Sequence, residues 1–216
     1  MSSVTPLHAD DLRFDGPVSA PFSIVFAHGA GAGMDHPWMA RMAQGLADRG
    51  FRVLRFDFPF MRARRLGSRR GPDHMPALQD AFREAVSMCG SDHFALAGKS
   101  MGGRVATMVA DDLGARGVVV YGYPFHPPGK PDQLRTAHLE TIQTRTLILQ
   151  GERDPFGVPT EVATYRMSPA VELQWLDDGD HSFSPRKKSG RTLEQNCDVA
   201  IEASAAFLQR TDTLTP

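Results

Sequence analysis

The sequence predicts an α/β fold with a mostly parallel sheet of about six or seven strands and helices on both faces. Short runs rich in β-branched and aromatic residues alternate along the chain with segments of helical periodicity. These runs are almost continuously apolar, as is typical of strands that are covered on both faces. The predicted strands are residues 23–27, 52–56, 93–97, 117–121, 145–150 and 171–176.

Four segments with helical spacing lie between or after the predicted strands. The first starts near Pro37 and stops at Gly50, as helices commonly do at these residue types. The second spans about residues 76–88, the third follows Ser100, and the last covers about residues 191–209. Alternating strands and helices favour parallel pairing, which places ligand-binding loops at the carboxyl ends of the strands.

The chain has 216 residues, and no repeat, low-complexity tract or linker divides it. We therefore expect a single domain that covers residues 1–216. A formal net charge of −1 provides no overall field to attract nucleic acid or an anionic membrane surface. The sequence carries no signal that indicates an oligomeric state.

Targeting signals and cysteine usage predict a cytoplasmic protein. The N-terminal segment "MSSVTPLHADDLRF" has no basic stretch followed by an apolar core, so we expect no signal peptide. No apolar run approaches the ~20 residues that a membrane span needs. Cys89 and Cys197 lie far apart, without the spacing of a metal site or a redox motif.

A glycine-rich segment, "AHGAGAGMDH" at residues 27–36, follows the first predicted strand. We call it the glycine loop; its glycines occupy positions 29, 31 and 33. Such a loop can hold the pyrophosphate of a dinucleotide, or it can direct a backbone N–H group at an oxyanion.

The dinucleotide alternative has some support, because the next predicted strand is followed directly by Asp57, near where a ribose-binding carboxylate would lie. The fingerprint G-x-G-x-x-G is nevertheless incomplete. Counted from Gly29 it requires glycine where Met34 stands, and counted from Gly31 it requires glycine where His36 stands. The sequence therefore argues against the dinucleotide function.

A second motif, "GKSMG" at residues 98–102, has the pattern G-x-S-x-G and lies between a predicted strand and a predicted helix. A nucleophilic serine on this sharp turn needs small neighbours, which Gly98, Gly102 and Gly103 provide. The alternative is that Ser100 only caps the helix. We predict that Ser100 is a nucleophile because the other members of a catalytic triad follow it.

Those members are Asp154, in the turn "GERDPFG", and His181, in "DDGDHSF". Each comes just after the carboxyl end of a predicted strand, at the same edge of the sheet as Ser100. The order Ser, Asp, His is that of the α/β-hydrolases. Three other acids follow the same predicted strand as His181 and are expected to form a solvated turn: Asp177, Asp178 and Asp180.

These motifs together resemble the α/β-hydrolases, and in particular the small dienelactone-hydrolase-like branch that includes the hydrolase-like domain of the KANSL/TEX-type proteins. The similarity runs through "FAHGAGAGMDH", "GKSMGGR", "YGYPFHPPGKP", "LILQGERDPFG" and "DGDHSF". It implies a serine hydrolase of the esterase or thioesterase kind, with no metal or organic cofactor. Dienelactone hydrolases carry Cys at the nucleophile position, so their substrate is not implied for a chain with Ser100.

The resemblance also implies an oxyanion hole formed by the backbone N–H groups of Ala30 and Met101, with His28 anchoring the glycine loop. Gly31 and His126 are further candidates for substrate contacts.

Larger α/β-hydrolases insert a helical cap after the strand that follows the nucleophile helix, where this chain has only about two dozen residues, 122–144. We therefore expect no sizeable cap and an open site for a small-molecule or surface-presented acyl substrate. The alternative function is a non-catalytic hydrolase-like scaffold or binding subunit, since some relatives are subunits of complexes. A scaffold does not need a complete triad.

The segment "MRARRLGSRR", residues 61–70 and here called the arginine segment, follows the predicted strand that ends at Phe56. Pro59 and Gly67 argue against one uninterrupted helix, so we expect a loop at the catalytic edge of the sheet. Its guanidinium groups, with Arg64 and Arg65 as the candidates, could bind a carboxylate or phosphate of the substrate. The alternative is a solvated basic loop.

Overall fold

The structure, a computed structural model, describes residues 6–212. Within these residues one sheet contains seven strands. They are β1 Leu12–Asp15, β2 Ser23–Ala27, β3 Arg52–Phe56, β4 Phe94–Lys99, β5 Val118–Tyr121, β6 Thr146–Gly151 and β7 Val171–Leu176. Their order across the sheet is β1-β3-β2-β4-β5-β6-β7. Strands β2 to β7 are parallel, and β1 pairs antiparallel with β3 at one edge.

Helices cover both faces of the sheet, which confirms the predicted α/β fold. Their bounds are α1 Pro37–Ala47, α2 Pro59–Arg65, α3 Met75–Ser87, α4 Met101–Leu113, α5 Pro159–Val162 and α6 Leu193–Asp212. Helices α1 and α6 pack on one face, where Met42 and Ile201 are buried in one hydrophobic cluster. Helices α3 and α4 pack on the other, where Phe82 and Val109 belong to a second cluster.

Two local predictions need correction. Strand β1 was not predicted, because its sequence, LRFD, buries little on either face and pairs only along the sheet edge. The first half of the arginine segment is helical, since α2 spans Pro59–Arg65. Proline at the first helical position starts a helix, because its fixed backbone angle suits that position. The helix ends before Gly67, which has a positive φ of 90°.

The connection between β5 and β6 contains a single short 3-10 turn, Ala137–Glu140. No cap domain is inserted there, as the sequence predicts. In the part of the chain that the structure describes, no helix is both long and apolar enough to cross a membrane. The single domain over residues 1–216 stays a prediction, and its ends, residues 1–5 and 213–216, lie outside the described residues.

Candidate active site

Ser100 occupies the sharp turn that joins β4 to α4, at the carboxyl edge of the parallel sheet. Its backbone angles, φ 51° and ψ −114°, lie in a region that a residue with a side chain rarely adopts. Its N–H donates to the carbonyl of Tyr121 on the neighbouring strand, at 3.0 Å, and its carbonyl accepts from Arg104 N–H at 3.0 Å. The surrounding sheet and helix therefore hold the strained turn in place.

The glycines around Ser100 are required by close backbone packing. A Cβ atom on Gly98 would lie 2.2 Å from the backbone nitrogen of Gly103, and one on Gly102 would lie 2.5 Å from the carbonyl oxygen of His28. Neither backbone group can move without shifting the strand or the helix. The glycine pattern thus reflects the close approach of β4, α4 and the glycine loop at this turn.

His181 joins Ser100 to Asp154 through its two ring nitrogens. Its Nε2 lies 2.8 Å from the Ser100 hydroxyl, and its Nδ1 lies 2.7 Å from Oδ2 of Asp154. Since the carboxylate can only accept, we assign the proton to Nδ1, which leaves Nε2 free to accept the hydroxyl proton. The structure brings these three predicted residues, from the ends of three strands, into one hydrogen-bonded chain.

Asp154 is completely buried and is held by three donors. Besides His181, its oxygens accept from the Phe156 N–H at 2.9 Å and from the side-chain amide of Gln150 at 2.9 Å. Gln150 also bonds both the N–H and the carbonyl of Tyr123. This amide therefore connects the position of Asp154 to the segment that follows β5.

The acids adjoining His181 have other partners. Asp178 pairs with Arg186 and Arg153; the hydrogen bonds from Arg186 are the main cause that lowers its pKa to about 2, and the charge of Arg153 adds to it. Asp180 accepts two backbone N–H groups of its own turn. The predicted solvated turn is thus an ordered, ion-paired one, and Asp154 is the acid that contacts the His181 ring.

Burial is the main influence on His181 and lowers its pKa below the usual range. The hydrogen bond that His181 donates to Asp154 opposes this effect, while the ammonium of Lys99 adds to it. The Phe156 ring lies 4.4 Å from the imidazole and covers one of its faces. A neutral imidazole is the form that can accept a proton from Ser100.

His28, near the start of the glycine loop, anchors the loop through both of its ring nitrogens. Its Nδ1 lies 2.6 Å from the Gly29 carbonyl and its Nε2 lies 3.0 Å from the Phe58 N–H. Nε2 therefore accepts and Nδ1 donates, which requires a neutral ring, and burial accordingly lowers the pKa of His28. The anchoring role expected of this residue is consistent with these contacts.

Asp57 supports the other end of the loop. Its carboxylate accepts the Met34 N–H at 2.7 Å and lies 3.3 Å from the Arg65 guanidinium. A Cβ atom on Gly33 would lie 2.8 Å from this carboxylate and 2.9 Å from Met61. Asp57 therefore binds the glycine loop itself, and glycine at position 33 permits the contact.

The two proposed oxyanion donors flank Ser100. Ala30 lines the cavity in front of the serine, and Met101 is the first residue of α4. Within residues 6–212 neither N–H group has a hydrogen-bond acceptor. The loop approaches Ser100 closely, since a Cβ atom on Gly29 would lie 3.6 Å from the Ser100 Cβ. Both donors are thus free to bind an oxygen of a substrate.

The cavity in front of Ser100 has a volume of about 770 Å³, within the range of small-molecule sites. Among the predicted site residues it is lined by Ser100, His181, Ala30 and Gly31. Met101 and Asp154 are not among its lining residues, and Asp154 contacts the cavity only through His181. Three predicted substrate contacts do not line it: Arg64, Arg65 and His126.

These three residues have partners elsewhere. Arg65 pairs with Asp11 and Asp57, and His126 lies between the carbonyl of Pro127 and the carboxylate of Glu161. The guanidinium of Arg64 donates to the Ala30 carbonyl at 3.3 Å and to the Arg70 carbonyl. In this arrangement the arginine segment supports the glycine loop from outside the cavity.

Several residues that contact the triad were not predicted from the sequence, among them Lys99, Gln150 and Phe156. Lys99 occupies a variable position of the G-x-S-x-G pattern, and its Nζ donates to the His181 carbonyl at 2.5 Å. Gln150 stands at the end of a predicted strand, where its amide suggests no particular role. Among residues 6–212, no group of three or more His, Cys, Asp or Glu side chains is arranged to hold a metal ion.

A family model described as an alpha/beta hydrolase domain matches residues 20–209. The protein therefore belongs to the α/β-hydrolase family, and this membership supports a hydrolase function.

Solved structures share the fold at low sequence identity. A lidless α/β serine hydrolase from Xanthomonas campestris is 22% identical, with a TM-score of 0.64 over 95% of this chain and 90% of that one. A dienelactone hydrolase from Anabaena variabilis is 21% identical, with a TM-score of 0.65 over 88% of each chain. An esterase domain of a Rhodothermus marinus protein is 18% identical, with a TM-score of 0.66 over 92% of each.

These neighbours agree with the resemblance to the dienelactone-hydrolase-like branch. The narrower likeness to the KANSL/TEX-type proteins stays a prediction.

Proposed function

We propose that the protein is a serine hydrolase that cleaves carboxylic esters or thioesters through an acyl-enzyme on Ser100. The observation that carries this proposal is the chain of hydrogen bonds Ser100–His181–Asp154, at 2.8 and 2.7 Å. It stands beside a cavity and beside two backbone donors that lack acceptors. Nucleophilic catalysis needs this combination of an activated hydroxyl, a base and an orienting acid.

In the first step, the Ser100 hydroxyl attacks the substrate carbonyl while Nε2 of His181 takes its proton. The carbonyl oxygen becomes negative in the tetrahedral intermediate and is bound by the N–H groups of Ala30 and Met101. The imidazolium of His181 then gives its proton to the leaving alcohol or thiol as the bond to the carbonyl carbon breaks. Asp154 stabilises the imidazolium and keeps the ring in the required tautomer.

In the second step, water attacks the acyl group on Ser100. His181 takes a proton from this water, the same oxyanion donors stabilise the second intermediate, and the proton returns to the Ser100 oxygen as the carboxylic acid leaves. The enzyme is thereby restored without any other reactant.

The short segment between β5 and β6 leaves the cavity open, which suits small-molecule or surface-presented acyl groups. The similar proteins whose names state a reaction include an esterase domain and a dienelactone hydrolase, which supports ester cleavage as the activity to test first.

A panel of p-nitrophenyl esters and acyl thioesters tests the proposal directly. We expect wild-type protein to release p-nitrophenol or thiol, and Ser100→Ala to lose the activity while remaining folded by circular dichroism. A folded wild-type protein that cleaves no member of either panel would favour the alternative of a non-catalytic scaffold.

A further inference from the structure

The cavity beside Ser100 has an apolar interior and a polar rim. Its inner wall includes the buried residues Met39 of α1 and Cys197 of α6. The half-buried side chains of Trp38, Phe156 and Leu193 also line it. The remaining polar side chains of the cavity, apart from Lys99 and the triad, are exposed at the mouth: His36, Arg41, Ser182 and Glu194.

Apart from the buried ammonium of Lys99, which donates to the His181 carbonyl, the charged side chains that line the cavity lie at its mouth. Arg41 is paired with Asp198 at 2.8 Å, and the ring of His36 accepts an N–H group at the start of α1. Burial raises the pKa of Cys197 to about 11, so its thiol is neutral and behaves as a small apolar group. An apolar part of a substrate would therefore remove apolar wall from water without displacing an ion from its partner.

We propose that this cavity binds the hydrocarbon part of the acyl group, so that the enzyme prefers esters of medium-chain or similarly bulky apolar acids. The inference rests on the proposed function. The acyl group is the part that stays bound to Ser100 between the two steps, whereas the alcohol must leave. The buried part of the cavity therefore suits the acyl group, and its exposed mouth suits the leaving group.

Chain-length dependence tests this inference. For p-nitrophenyl esters we expect kcat/KM to rise about fourfold for each added methylene from acetate towards octanoate, since each buried methylene is worth about that factor. Cys197→Phe fills the inner end and should lower the octanoate-to-acetate ratio of kcat/KM by roughly tenfold or more. Cys89→Ala provides a matched control, because Cys89 is equally buried but lies outside the cavity, and it should keep the wild-type ratio.

A second variant, Leu193→Trp, narrows the cavity from a half-buried position and should lower the same ratio if Cys197→Phe does not fold. The inference is overturned if kcat/KM of the wild type does not rise with acyl chain length, or if a folded narrowing variant keeps the wild-type octanoate-to-acetate ratio. In either case, hydrolysis of the acetate that depends on Ser100 leaves the proposed function intact. A gain that appears with longer alkyl acetates instead assigns the cavity to the alcohol. Failure of every ester and every thioester overturns both proposals.

A separate feature of the site is the lysine directly before the nucleophile. The Nζ atom of Lys99 lies 2.5 Å from the His181 carbonyl and 5.7 Å from the centre of the Trp38 ring. A Cβ atom on Gly122 would lie 3.0 Å from this Nζ and 3.2 Å from Nδ1 of His181. In the described residues, no carboxylate forms an ion pair with Lys99. A positive charge is thus packed against the triad without a counter-ion in contact.

We infer that Lys99 is a positioning residue, which fixes the backbone of His181 and keeps the imidazole neutral so that it can accept the Ser100 proton. The charged groups that face His181 are Asp154, Asp180 and Lys99. The two carboxylates favour the imidazolium, and the ammonium opposes it. Burial lowers the pKa of Lys99 to about 8, so this opposing charge is present at neutral pH and is lost above it.

The pH profile separates this role from simple structural support. Lys99→Met removes the charge, so the acid limb of kcat/KM for p-nitrophenyl acetate should move up by roughly one pH unit. Lys99→Arg keeps the charge and should hold the wild-type midpoint. A uniform loss of rate in Lys99→Met, with the midpoint unchanged, would overturn the inference.

A measurement without a substitution at Lys99 covers the case in which these variants do not fold. In Ser100→Ala, the His181 ring resonances followed by NMR should titrate below pH 6.5 and should shift again near pH 8, where Lys99 loses its charge. Absence of the second shift would contradict the proposed coupling.

Discussion

The glycine loop and the arginine segment lie side by side, yet they serve the site in different ways. The loop lines the cavity through Ala30 and Gly31, whereas neither Arg64 nor Arg65 reaches it. The arginines instead bind groups that hold the loop: Arg64 contacts the Ala30 carbonyl, and Arg65 contacts Asp57. Residue type alone suggested an anion site in the arginine segment. The partners of those arginines indicate that the guanidinium groups stabilise the glycine loop and do not bind a substrate anion.

The largest effect is expected from a substitution in the triad, and it sets the scale against which variants of the two regions are compared. Asp154→Asn should lower kcat by roughly 10³–10⁴-fold with the fold intact, since the amide favours the wrong tautomer of His181. Steady-state kinetics with p-nitrophenyl acetate measures this change. Wild-type activity in the variant would remove Asp154 from the triad and direct attention to Asp177 or Asp178.

A glycine substitution in the loop should have the next largest effect. Gly33→Ala places a methyl group against Asp57 and Met61, so the loop must shift and its oxyanion donor moves with it. We expect kcat to fall roughly 10- to 100-fold, as is common when a catalytic group is displaced by about an ångström. Gly71→Ala, just after the arginine segment, meets no atom within 4 Å and should retain wild-type kcat. Equal losses in the two variants would remove the distinction between the regions.

The pH dependence of kcat/KM tests the protonation state of His181, which lines the cavity. Activity requires neutral His181, whose pKa burial lowers below its ordinary value of 6.5. The group is therefore neutral and active above that lowered pKa, and kcat/KM should fall about tenfold per pH unit below it. The midpoint of the acid limb should lie below pH 6.5. A midpoint above pH 7 would contradict the burial of His181.

The smallest effect is expected in the arginine segment. Replacing both Arg64 and Arg65 by Gln should lower kcat/KM by roughly two- to fivefold, in line with the small contribution of partly exposed ion pairs. The loss should be the same for neutral and anionic esters, because neither guanidinium lines the cavity. A tenfold rise in KM confined to anionic esters would restore these arginines as substrate contacts.

Much of this fold follows from local sequence pattern. Continuous apolar runs such as residues 145–150 predicted the central strands to within a residue or two, because both faces of these strands are buried. Strand β1 was missed because Arg13 and Phe14 are exposed at the sheet edge, so its sequence contains no apolar run that predicts a strand. The short helix α2 was missed because Pro59 was treated as a breaker, although it stands at the first helical position.

The three residues of the candidate triad were predictable because each follows a strand, and parallel strands end at one edge. The supporting residues were not, because their roles depend on distant partners. Asp57 binds Met34, 23 positions away, and Lys99 binds His181, 82 positions away. Nothing in the sequence near either residue indicates such a partner, and for Asp57 the local pattern pointed to a ribose instead.

The central claim is that Ser100 is a nucleophile activated by His181, and covalent labelling tests it most directly. Wild-type protein would be incubated with a fluorophosphonate probe, and its intact mass and peptide map would be compared with those of Ser100→Ala and Asp154→Asn. We predict one adduct on Ser100 in wild type, none in Ser100→Ala, and much slower labelling in Asp154→Asn. A folded wild-type protein that remains unlabelled, or that carries the adduct on another residue, would contradict the claim.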